Sequence, residues 1–264
     1  MIRTAIRWAL VALLIAAPLS IFAGSLRVVP IKVFLDDRST TASLTLTNEG
    51  EENVTVQLHA KSWDQDDQGI DIYAETDDIV FFPKIVTLEP ATERIIRVGY
   101  QGDSTQGSEK TYRLFVQELP VSDPGEMTLR FAITFSIPIF VMPAVRSRDF
   151  SITDVSQERG GLRVAVSNAG NTHVSVEEVR ARGLDTAGYQ VYSTELRGWY
   201  VLSGKTKTYE LTIPEDGCSK ATAIEVEMKA GGRIVTNRLD ANVETCETAD
   251  DAPDQPGASD VHGM

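Results

Sequence analysis

The stretch with the most chemical potential is Asp64–Glu75, DQDDQGIDIYAE, which meets D-x-D-x-Q-G-x5-E. That comes close to a calcium loop, with Gln68 where Asp or Asn belongs. A calcium hand needs flanking helices, and the sequence on both sides alternates like strands, so the stretch is expected to be a polar hairpin tip kept in water by its charge. The histidines, His59, His173 and His262, are scattered, and zinc sites want clustered ligands, so no metal is expected. His59 lies on an alternating strand and is expected to be structural. There is no Gly-x-Ser-x-Gly elbow, phosphate loop or dinucleotide fingerprint. Carboxylates are plentiful but sit mostly in turns, so no glycosidase pair stands out. Trp63, Trp199 and Tyr200 could stack on sugars, although core packing is their more ordinary role. The expectation is a protein without catalysis and without a cofactor.

The elements that would position these residues begin with an address. Arg3 and Arg7 precede an apolar run, Trp8–Ala17, and small residues around Ala23–Ser25. This is the order of a secretory signal peptide, expected over residues 1–24, and the run falls short of the roughly 20 residues that span a bilayer. Cleavage would leave no membrane anchor. The two cysteines, Cys218 and Cys246, would then enter an oxidising compartment, which favours a disulfide over a pair of buried thiols. The formal charge of −13 argues against binding nucleic acid. Residues 247–264 hold five acids and no Lys or Arg, and read as a disordered acidic tail.

Met127–Pro143, MTLRFAITFSIPIFVMP, organises the rest. Leu129, Phe131, Ile133, Phe135, Ile137, Ile139 and Val141 alternate with mostly polar neighbours, the period of a β-strand. Pro138 cannot donate to a ladder, so one side of the strand is expected to be an edge or a bulge. The apolar row serves either the strand's own core or the completion of another sheet. Further strands are expected at Leu26–Leu35, Ala42–Asn48, Val54–Trp63, Ile79–Phe82, Glu93–Tyr100 and Thr111–Leu119, with turn formers between them. A second series covers Phe150–Val155, Leu162–Asn168, Val174–Arg182, Thr206–Ile213, Ala223–Lys229 and Arg233–Leu239. The expected fold is all-β: two tandem immunoglobulin-like β-sandwich domains, at residues 25–145 and 146–246.

Four stretches of the first domain resemble the PapD-like periplasmic chaperones of pilus assembly. Pro30–Leu35, PIKVFL, is similar to the family's first strand, with a basic residue before an apolar run. Phe82-Pro83, Leu88-Glu89-Pro90 and Arg97-Val98 resemble its "P…l.PG…q.iRv" segment, with Ala91 where Gly is usual. Tyr112–Pro120 resembles "(Y/F)…v.EIPP", and Ile137–Pro143 resembles "IKLFYRP". In the second domain, Gly198–Gly204, GWYVLSG, resembles a segment of divergent members.

The resemblance implies a periplasmic chaperone that caps pilus or fimbrial subunits by lending a strand, an instance of recognition by strand addition, and delivers them to an outer-membrane usher. The lent residues would be Leu129, Phe131, Ile133 and Phe135. The family also pairs two cations that hold the subunit's C-terminal carboxylate. Lys32 matches the first; the second falls on Pro138, which leaves Arg97 and Arg113 as candidate replacements. The motif's Arg, which joins the domains by an ion pair, falls on Met142, although its carboxylate partner is present as Glu118. The alternative is an exported sugar-binding or adhesin-type β-sandwich module.

Overall fold

The computed structural model describes residues 26–103, 107–119 and 132–246. The signal peptide, the acidic tail, Leu129 and Phe131 therefore lie outside the described residues. Strands follow the alternation of the sequence because each buries one face: in Val54–Gln65, Val54, Val56, Leu58 and Ala60 point into a core.

The first sandwich is built from β1 (Leu26–Val29), β2 (Val33–Leu35), β3 (Thr41–Asn48), β4 (Val54–Gln65), β5 (Asp71–Glu75), β6 (Ile79–Phe82), β7 (Ile85–Leu88), β8 (Glu93–Tyr100), β9 (Lys110–Leu119) and β10 (Thr134–Val141). One sheet runs β1-β3-β8-β6; the other runs β2-β10-β9-β4-β5, with β7 also on β4. Leu44, Leu46, Ile96, Val56, Leu114 and Ile139 fill the space between them. The second sandwich holds β11 (Phe150–Glu158), β12 (Gly161–Asn168), β13 (Val174–Leu184), β14 (Gln190–Arg197), β15 (Tyr200–Val201), β16 (Thr206–Thr212), the one-turn helix α1 (Glu215–Cys218), β17 (Ala223–Ala230) and β18 (Arg233–Asp240). Its sheets run β11-β12-β16 and β14-β13-β17-β18, around a separate core that includes Val164, Val179, Ile224 and Met228. The all-β, two-sandwich expectation holds.

Three expectations need correction. Leu26–Leu35 is not one strand: β1 pairs antiparallel with β3, whereas β2 pairs parallel with β10 in the opposite sheet. Pro30, without an N–H, sits at the crossing. Four strands went unread, β5, β7, β14 and β15, for reasons taken up below. The tip of the β4–β5 hairpin does not simply project into water. Asp66 Oδ1 accepts from the N–H groups of Gln68 and Ile70 and closes the turn on itself. Gly69 follows with φ +75°, and a Cβ there would meet the Lys207 side chain of the second sandwich at 2.7 Å. The charged tip is thus a seat for the second sandwich. Among the described residues no group of three His, Cys, Asp or Glu could hold a metal, and no helix is long and apolar enough to cross a membrane.

Candidate functional site: an open strand edge and a cationic aromatic cleft

The long strand divides into two halves. Ile139, Phe140 and Val141 pair with Val33, Phe34 and Leu35 of β2. From Thr134 to Pro138 the strand keeps β9 as its partner on one side, while β2 no longer reaches it on the other. That is the edge Pro138 led us to expect. The odd-numbered row changes surroundings along the strand. Val141, Ile139 and Ile137 are buried in the home core, Phe135 packs partly against it, and Ile133 is 36% exposed. Among the described residues no strand pairs with that edge, and the row leaves the core along it with its apolar side chains progressively uncovered. Backbone N–H and C=O groups on such an edge are free to take another strand.

The even-numbered row faces the second sandwich. Register places Lys61 of β4 beside Arg113 of β9, and Arg113 beside Pro138 of β10. Lys32 lies one residue before Val33, the partner of Ile139, and so comes level with Pro138. Lys32 and Arg113 thus flank the proline that replaces the family's second cation. They also share a neighbour: Lys32 Nζ is 5.1 Å from the centroid of the Tyr200 ring, and Arg113 Cζ is 5.6 Å from it. Arg97 is not part of this group. It lies on β8 in the other sheet, exposed, beside Phe82 and Val80 around a cavity of about 370 Å³.

Arg113 is boxed by aromatic rings. Its Cζ lies 3.8 Å from the Trp63 centroid and 5.3 Å from that of Trp199. The side chain is buried, and its Nε and Nη2 have no hydrogen-bond partner; among the described residues Nη1 reaches the Ser136 carbonyl, at 3.4 Å. Burial pulls its pKa below the ordinary arginine value, against the attraction of Tyr73 and Asp71. A buried guanidinium with two orphaned donors is costly unless an anion comes to it.

Above this row an apolar junction joins the sandwiches. Trp63, Phe140 and Met142 pack with Tyr200 and Leu202. The Phe140 and His173 rings stack at 3.7 Å, and His173 Nδ1 lies 2.8 Å from the buried carboxylate of Glu109. Gln65, fully buried, donates from Nε2 to the Tyr200 carbonyl and accepts from the Leu202 N–H, both at 2.9 Å. Lys205 reaches the Gln65 carbonyl and Asp64, and Lys207 the Gly69 carbonyl. Met142 stands in this cluster, so the domain junction rests on packing and an amide clamp where the family pattern has an arginine. Glu118 instead sits beside Ile133, with its Oε2 3.5 Å from that residue's N–H. Sequence reasoning missed Gln65, Asp71, Glu109 and His173 as junction residues. Trp63 and Tyr200, considered as sugar platforms, are packed into the junction; His59 stacks on Phe115, as a structural residue would.

Cys218 and Cys246 are joined by a disulfide, with Cα atoms 5.5 Å apart.

Residues 25–146 match the family model described as pili and flagellar-assembly chaperone, PapD N-terminal domain. Among curated proteins none matches the chain in sequence. The fold is similar to that of the chaperone in the CsuC–CsuE chaperone–tip adhesion subunit pre-assembly complex from archaic chaperone-usher Csu pili of Acinetobacter baumannii. There the TM-score is 0.56 at 21% identity, over 81% of this chain and 98% of that one. It is also similar to a chain in the complex of Salmonella enterica SafA pilin with the SafB chaperone, with TM-score 0.55 and 16% identity over 82% and 97% of the two chains. The YadV chaperone superposes with TM-score 0.54 at 15% identity, over 82% of this chain and 100% of that one. A matched first domain, the ordered motifs and the two-sandwich fold lead to one conclusion: the first sandwich, residues 25–146, is a domain of the PapD-like pilus-assembly chaperones, a non-catalytic class.

Proposed function

We propose that the chain works in the periplasm, where it binds pilus or fimbrial subunits by lending a strand and passes them to an outer-membrane usher. The observation that carries this reading is the half-open strand β10, whose apolar row runs out of the home core along an edge that no described strand pairs with. A subunit that lacks a strand would lay its own edge along Thr134–Pro138 and the residues before it, and receive Ile133, Phe135, Phe131 and Leu129 as substitutes for its missing core. Backbone bonds would fix the register, and a one-residue slip would turn the apolar row away from the gap. Lys32 and Arg113, on either side of Pro138, are the residues proposed to hold the subunit's terminal carboxylate; Arg97 is too differently placed to join them. Two of the similar structures are complexes of a chaperone with a subunit, which supports the same class of partner here.

The test is Ile133→Asp. Its side chain is already partly exposed, so the free chaperone should keep its circular dichroism and melting temperature. Losing about 1.5–3 kcal/mol of apolar burial in the complex should weaken subunit retention roughly ten- to a hundredfold in co-purification. Undiminished retention by a folded variant would remove strand donation as the mechanism. Arg113→Gln offers a second check. It should weaken retention of a subunit with a free C-terminal carboxylate, while leaving binding of a subunit truncated before that strand end unchanged.

A further inference from the structure

The proposed carboxylate anchor is closed off. Arg113 Nε and Nη2 are out of contact with solvent and lack hydrogen-bond partners, yet a carboxylate holds one of the rings that cover the guanidinium. Asp71, the first residue of β5, is half-buried, and its Oδ2 accepts the indole N–H of Trp199 at 2.9 Å. The same carboxylate takes the Gln65 amide on Oδ1 at 3.0 Å and the Tyr73 hydroxyl on Oδ2 at 3.2 Å. Trp199 belongs to the second sandwich, and its ring lies over the Arg113 guanidinium. Asp71 therefore does two things. It ties an aromatic roof from one sandwich to the hairpin of the other, and it puts a negative charge where it attracts Arg113 without a direct bond between them.

Building on the anchor reading, we infer that Asp71 is an internal stand-in for the guest's carboxylate, holding Trp199 over Arg113 until a stronger anion displaces the roof. A carboxylate entering the box meets repulsion from Asp71 and must part Trp199 from it to reach the two orphaned donors. Asp71 thereby sets a threshold: a solitary anion opens the box only at high concentration, and a carboxylate carried in by a paired strand opens it readily. The recognised chemistry is a carboxylate at the end of an extended peptide. Asp71 acts through Trp199 and Arg113, so it is a positioning and specificity residue.

The experiment titrates the full chain with sodium acetate, the smallest carboxylate, and with acetamide as the neutral control, at constant ionic strength. The indole N–H resonances of Trp63 and Trp199 report occupancy. Acetate should shift the Trp199 signal saturably and acetamide should not. In Asp71→Asn the acetate concentration at half-saturation should fall about tenfold, while Asp71→Glu should restore the wild-type value. A side chain with only a structural role would not change discrimination between acetate and acetamide. Should Asp71→Asn fail to fold, Asp71→Ser keeps an acceptor without the charge and gives the same readout. Equal acetate binding by wild type and Asp71→Asn would overturn the stand-in while leaving the anchor in place. Failure of acetate to move either indole in any form would overturn both.

Discussion

Phe140→Ala should destabilise the protein by about 3–5 kcal/mol, the cost of deleting a fully buried ring. Phe140 has no exposed surface and sits where three elements meet. On the sheet it stacks against Phe34 at 5.4 Å; across the junction it meets His173 at 3.7 Å and Tyr200 at 5.7 Å; beside it lies Trp63. The cavity would open at the hinge, between two sandwiches each held by its own core, so neighbouring rings could close it only by shifting one sandwich against the other. The clamp of Gln65 on the Tyr200 carbonyl and the Leu202 N–H opposes that shift. Urea unfolding followed by fluorescence provides the measurement, since Trp63 lies in the affected cluster. Phe140→Leu, which keeps most of the volume, should lose less than half as much. A loss below about 1 kcal/mol for the alanine variant would mean that the junction collapses freely and does not set the angle between sandwiches.

What could be read in advance depended on whether a signal is local. Strands with one buried face announced themselves: β3, β4, β12 and β17 alternate along the chain, and their residues alternate in burial over most of each strand. β5 did not, because its residues are half-buried or exposed along the whole strand, so no apolar period marks it. β15 has two residues, too few to establish a period, and β7 buries only Leu88, at its very end. The outer strand β14 has one buried residue, Tyr192, and its other apolar residues, Val191 and Leu196, are only partly covered. The break between β1 and β2 was hidden because the residues on both sides are good strand formers and differ only in which sheet they join. At the site, Lys32 and Arg113 were individually visible as basic residues near matched motifs. Their meeting across Pro138 is a matter of register between three strands, which linear spacing does not encode. Gln65 was invisible for a stronger reason. Its value comes from backbone groups more than 130 positions away, and an amide in a polar hairpin carries no mark of them. The replacement of the family's arginine by Met142 was legible as a departure; the amide clamp and ring cluster in its place were not.

Breaking the Cys218–Cys246 bond should cost about 3–4 kcal/mol, because the cross-link closes a long loop that is otherwise free in the unfolded chain. The two cysteines are 28 residues apart, and between them run β17 and β18, one side of the second sandwich's larger sheet. Gln157 of β11 fixes the loop's exit, donating to the Asn242 carbonyl and accepting from its N–H, at 2.9 and 2.8 Å. With the bond gone, these contacts and the pairing of β18 along Ala223–Ala230 remain, so the native structure should survive with a lower unfolding midpoint. Cys246→Ser is the cleaner substitution, since Cys246 is partly exposed whereas Cys218 is buried and a hydroxyl there would lack water. The wild type in a reducing agent should unfold with the Cys246→Ser midpoint, and reductant should leave the variant unchanged. The first sandwich, whose core is separate, should not lose stability of its own. Coincident midpoints for oxidised and reduced wild type would show that the second sandwich's packing holds the chain end without the bond.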